Sequence, residues 1–102
     1  MENQQSNIPD ENADWGEIQK YSLSFNAYEY WNGTNKPGKI ANQQRARYHV
    51  EGKLTNDLIE LKTCLFIEQR RFHHYGWAPS EKEMVYIKAL LEKIRSIEEV
   101  ED

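Results

Sequence analysis

The sequence predicts a small, mainly helical single domain built on an antiparallel helical hairpin. Residues 54–76 read as one long helix, apolar over most of its girth and closed by Gly76, the residue that most readily takes the left-handed conformation. Further on, Pro79-Ser80-Glu81-Lys82-Glu83 holds a capping box, and Met84, Ile87, Leu90, Leu91, Ile94 and Ile97 follow it at helical spacing. Only residues 76–79 separate the two segments, a link so short that the second helix must fold back on the first.

Residues 1–14 contain Glu2, Asp10, Glu11 and Asp14 with no lysine or arginine, and are expected to form a disordered acidic arm. In residues 17–31, Tyr21, Leu23, Phe25 and Ala27 alternate with Ser22, Ser24 and Asn26, as in a strand. Ile18, Tyr21 (or Ser22), Phe25 and Tyr28 also recur at helical spacing, so this segment reads as either extended or helical. Residues 32–38 are dense in turn formers and make a loop. Residues 38–51 are expected as a third, shorter helix through Ile40, Ala41, Gln44, Tyr48 and Glu51. The alternative is an α+β fold, in which 20–30 pairs with 46–51 as a long-looped hairpin.

For the long helix, residues 55–75, Thr55 is the expected N-cap, with Asp57 in the first turn. Leu58, Leu61, Cys64, Leu65, Phe72 and Tyr75 fall on one arc, and Ile59, Phe66 and Ile67 occupy other faces. A helix so apolar should be packed on more than one side. The globular domain is expected over residues 15–97, and 98–102 form an acidic tail.

Charge is unevenly spread. The chain of 102 residues has a formal net charge of −4. Setting aside the four acids of the arm and the four of the tail leaves nine acidic residues of the 17 against 13 Lys and Arg, so the body is mildly basic. The single cysteine, Cys64, rules out an intrachain disulfide. The start has neither a basic nor an apolar secretory region, and no apolar run reaches bilayer length. A cytoplasmic location without membrane association is the resulting expectation.

Candidate site residues follow from chemistry. Glu68 lies within the apolar arc, where an unpaired carboxylate is costly, so it should meet Arg45, Arg47 or the Tyr28 hydroxyl in a structural buried ion pair or hydrogen bond. Arg70, Arg71, His74 and Trp77 belong to a run interleaving cations with aromatics, suited to a protein interface or to phosphate contacts with base stacking. Tyr28, Tyr30 and Trp31 make a second aromatic cluster beside the Gly/Asn loop. His73 and His74 point about 100° apart on a helix, and no His or Cys lies at the i+4 spacing that a two-ligand helix site needs, so no metal or other cofactor is expected. Cys64 reads as a buried structural thiol. There is no phosphate-cradling loop, zinc spacing or nucleophile elbow, and enzymatic activity is not favoured.

Tyr28-Glu29-Tyr30 and, more strongly, Leu61-Lys62-Thr63-Cys64-Leu65-Phe66-Ile67-Glu68-Gln69-Arg70-Arg71 resemble small bacterial proteins of an uncharacterised family with no assigned activity. The likeness extends through His73, His74 and Gly76 to Tyr86 and Ile87. It implies a bacterial origin and no mechanism. The leading expectation is thus a non-enzymatic protein-interaction or regulatory module, binding a protein partner or itself. The alternative is a nucleic-acid-associated protein with Arg45, Arg47, Lys53, Arg70 and Arg71 on one face, and a third is a small enzyme centred on Glu68 or the histidines.

Overall fold

Backbone capping sets where each helix begins and ends. The computed structural model describes residues 8–99, which form α1 (Trp15–Ser22), α2 (Ala27–Tyr30), α3 (Lys36–Glu51), α4 (Leu58–Tyr75) and α5 (Glu81–Glu98). At α1 the Asp14 side chain accepts from the Glu17 N–H, and the Glu17 carboxylate accepts in turn from the Asp14 N–H, which completes a capping box. Asn26 caps the single turn of α2. Pro37 lies in the first turn of α3, where its missing N–H costs nothing, and Gly52 closes that helix with φ 69°. Gly76 closes α4 with φ 71°, and Ser80 with Glu83 opens α5 by the expected capping box.

The helical reading therefore holds for both ambiguous segments, and the α+β alternative falls, since the described residues contain no strand. The serines that suggested alternation satisfy their hydroxyls within helical turns. Ser22 Oγ donates to the Ile18 carbonyl at 2.7 Å, and Ser24 Oγ to that of Tyr21 at 2.6 Å. The expected N-cap of the long helix also needs correction. Asp57, not Thr55, caps it, accepting from the N–H groups of Ile59 and Glu60 at 2.9 and 3.1 Å. A carboxylate both satisfies two orphan donors and complements the helix dipole. Thr55 instead donates to Glu60 Oε1 and accepts from the Asp57 N–H.

Helix α4 is the axis of the molecule: α1, α2, α3 and α5 each pack against it. Lys62 near its start pairs with Glu98 at the end of α5 (2.9 Å), while Arg71 near its end reaches Glu83 at the start of α5 (3.7 Å). That crossed correspondence makes the hairpin antiparallel. The core is built from Leu61, Cys64, Leu65 and Phe72 of α4, Ile87, Leu90, Leu91 and Ile94 of α5, and Ile18 of α1. Tyr75, expected on the packed arc, is exposed, because it lies in the last turn of α4 next to the closing Gly76.

Residues 8–14, assigned to the acidic arm, lie against the domain. Ala13 is buried, Ile8 packs on the core, and two α5 cations hold the main chain: Arg95 donates to the Pro9 carbonyl and Lys88 to that of Glu11. Three apolar residues, Ile8, Pro9 and Ala13, give this segment something to bury despite its acids. Glu98, assigned to the tail, belongs to α5 and is paired with Lys62. The rest of the predicted arm and tail, residues 1–7 and 100–102, lies outside the described residues. Among the described residues, no helix is long and apolar enough to cross a membrane.

Candidate interaction surface

Two of the predicted site residues are structural. Glu68, with 1% of its surface exposed, has its carboxylate between two guanidinium groups. Arg45 of α3 donates Nε to Oε2 at 2.8 Å and brings Nη2 to 2.6 Å from the same oxygen as an ion-pair contact, and Arg71, one turn along α4, donates Nη2 to Oε1 at 2.9 Å. Arg45 was among the three expected partners. Arg47 instead approaches Glu51, and Tyr28 packs its ring on Phe66. Arg71 also faces Glu83 and covers the Phe72 ring, so its charge is spent on joining α4 to α5. A carboxylate so occupied and so enclosed has no route to a substrate.

Beside this network lies a second buried pair. The Cys64 thiol is fully enclosed, and burial followed by the charges of Glu68 and Glu60 pushes it up to about 12. It is thus a protonated, inert group at neutral pH. The Tyr86 hydroxyl rests against it with no conventional hydrogen-bond partner, and burial drives that phenol far above its ordinary value. Tyr86 sets its ring at a tilt of 44° and 39° against those of Tyr48 and His49 of α3, at 5.1 and 6.0 Å between centroids, which joins α3 to α5. Among the described residues, no three His, Cys, Asp or Glu side chains are grouped to hold a metal ion.

The aromatic residues of α2 are arranged differently. The one-turn helix lies on α4 and presents its rings along a stripe formed by Thr63, Phe66 and Arg70. Trp31 is anchored by its indole Nε1, which donates to Thr63 Oγ1 at 3.0 Å, and Thr63 in turn donates to the Ile59 carbonyl. Tyr28 sets its ring edge-on to Phe66 at 5.3 Å. Tyr30 bridges Trp31 and Phe25 at 5.0 and 5.5 Å. Despite these contacts Tyr28 and Tyr30 remain 42% and 51% exposed, and Leu23 close by in the chain is 52% exposed. Cations cover two of the rings: Lys36 Nζ stands 5.0 Å from the Trp31 centroid, and the Arg70 guanidinium 5.7 Å from that of Tyr28. Each such contact is worth about 0.5–1 kcal/mol at an exposed position.

Tyr28, Tyr30, Trp31 and Arg70 are therefore brought together on one surface. His74 and Trp77 lie elsewhere, at the turn between α4 and α5. There the exposed Trp77 stacks on Tyr75 at 5.1 Å, and His74 sets its ring edge-on to Tyr75. Sequence reasoning missed Lys36 and Thr63. The available signal for Lys36 was its place five residues after Trp31 across a tight turn, and for Thr63 its position one helical turn before Phe66. Two clefts lie away from the α2 aromatics, and of the residues expected to bind only Arg47 lines either of them. One of about 620 Å³ lies between residues 8–10 and α1, and the other, about 180 Å³, lies beside Gln44. Tyr21, which lines the first, is held to about 12 by burial and by Glu98, so its hydroxyl is a hydrogen-bonding group and not a base at neutral pH.

No protein-family model, curated protein or solved structure matches this chain.

Proposed function

We propose that this chain is a non-enzymatic interaction module of the bacterial cytoplasm, belonging to a small uncharacterised family, and that it binds a protein partner through the surface of α2. One observation carries the reading: Tyr28 and Tyr30 are exposed although their neighbours Trp31 and Phe66 hold them in place. Immobilised, half-exposed aromatics have already lost most of their rotamer freedom, so a partner that covers them gains apolar burial at little ordering cost. Arg70 contributes a guanidinium at the edge of the same surface.

The nucleic-acid alternative is less well supported. Of the five cations it requires on one face, Arg45 and Arg71 are engaged by Glu68 and Arg47 approaches Glu51, which leaves Lys53 and Arg70. Two phosphate contacts give little of the counterion release on which such binding depends.

Photo-crosslinking in the producing cells tests the reading. A photoreactive phenylalanine derivative replaces Tyr30, and in a control the exposed Val50 on α3. The expected result is a discrete adduct from position 30 only, removed by protease and resistant to nuclease. No adduct at position 30, or one that nuclease removes, refutes it.

A further inference from the structure

Resting on that reading, we infer that the α2 surface receives an acidic peptide: an extended segment with two carboxylates four residues apart and an apolar side chain midway between them. Lys36 and Arg70 mark the two ends of the surface. The side chains of α4 beneath it, Thr63 under Trp31, Phe66 under Tyr28 and Arg70 over Tyr28, occupy positions i, i+3 and i+7 of one helix. They form a stripe about 10 Å long at 1.5 Å per residue. An extended chain rises about 3.3 Å per residue and directs alternate side chains to one face. Residues i, i+2 and i+4 of a bound peptide would therefore all face α2, with the outer two about 13 Å apart, within reach of flexible Lys and Arg side chains.

Charge selects the occupant. Neither Lys36 nor Arg70 meets a carboxylate among the described residues; each is held only over a ring. A carboxylate binds such a cation from its outer side and leaves the ring contact intact. A nucleic-acid base needs a bare ring face for stacking, and these two cations already cover Trp31 and Tyr28. Glu29, exposed in the middle of α2, disfavours phosphate there and suits a ligand that is neutral at its centre and acidic at both ends. A second copy docked through the same patch about a two-fold axis would set the cations of one copy against those of the other.

The test is fluorescence anisotropy of a labelled peptide, Gly-Glu-Ser-Leu-Ser-Glu-Gly, titrated with the full chain at low and at physiological salt. Its Glu-to-Gln and Glu-to-Lys forms and labelled decathymidylate are run in parallel. Saturable binding of the acidic peptide is expected, weakened about fivefold or more by Lys36→Gln and by Arg70→Gln, as for loss of a charge-assisted contact. Lys53→Gln, away from α2, should change nothing. Both cations are exposed and outside the core, so the variants are expected to fold, which circular dichroism checks. Equal binding of the Lys form, tighter binding of decathymidylate, or protein dimerisation that blocks the peptide overturns the inference. So does an absence of peptide binding. If adducts at position 30 persist in that case, the partner is a protein of other chemistry; if they are absent too, the interaction reading fails as well.

Discussion

Replacing Arg45 by Ala should unfold this protein more readily than any other single loss of charge. The change removes the Nε hydrogen bond at 2.8 Å and the Nη2 ion-pair contact at 2.6 Å from Glu68 Oε2, and leaves Arg71 holding only Oε1. Glu68 cannot turn to solvent, because it is 1% exposed in the middle of α4. Removing one partner of a buried pair costs about 3–5 kcal/mol, whereas an exposed pair is worth about 1 kcal/mol or less. The remaining Arg71 contact and the partial exposure of Arg45, 23% of its side chain, place the expected cost near the lower bound, about 3 kcal/mol. At a typical slope of about 1.5 kcal/mol/M, the urea midpoint falls by about 2 M. Tryptophan fluorescence during urea unfolding measures it. Arg71→Ala, which breaks a single 2.9 Å contact to Glu68, should cost less. The double change Arg45→Met with Glu68→Leu should cost less than Arg45→Ala alone, since it leaves no stranded charge. A loss under about 1 kcal/mol for Arg45→Ala would refute the reasoning, because the pair would then behave as a solvated one.

Three further outcomes are expected. Thr63→Val keeps the shape of the side chain but removes the acceptor for the Trp31 indole, so α2 should loosen at a cost of about 1 kcal/mol; hydrogen exchange at residues 27–31 would report it, and unchanged protection would count against the anchor. Ser80→Ala should lower stability by about 1 kcal/mol through loss of the α5 cap. Glu83, held low chiefly by the Ser80 backbone N–H, keeps that donor in the variant, so its contribution should still be present above 4.5 and be lost as pH falls below it. Cys64 binds its proton more tightly in the folded than in the unfolded chain, so its contribution is full below 9.0 and is lost as pH rises from there towards about 12. Urea midpoints of the parent should therefore fall across that window more steeply than those of Cys64→Ala, and parallel slopes would contradict the assignment.

The hairpin was legible because its signals are local: a capping box, a closing glycine and a short link each act within four residues of themselves. The buried pairing of Glu68 was also legible, since a carboxylate on an apolar arc needs a counter-charge wherever the chain finds one. Its second partner was not anticipated, because Arg71 had been grouped with the cations on the strength of its neighbours in sequence, when its angle on α4 turns it back towards Glu68. The character of residues 17–31 could not be decided from pattern. A serine every second residue looks like the open face of a strand, yet Ser22 is buried and bonded to its own helix. The α2 surface was half visible. Its aromatics stood out in composition, but their exposure and the cations above them depend on how a four-residue helix settles on α4, which nothing local specifies.

The way α5 holds residues 9–11 has a consequence for mutational tolerance. Arg95 and Lys88 grip carbonyl oxygens of the main chain, which every residue type supplies. The hold is therefore indifferent to the exposed side chain at position 11, whereas Asp10 shapes the segment by accepting the Asn12 N–H at 2.9 Å. Sequence can drift at position 11 while the attachment persists: a library randomised there should return nearly all types, and one at position 10 should favour Asp, Asn and Ser. The same library at Arg95 or Ala13 should return few, so the constraint on this segment lies mostly in residues that are not part of it.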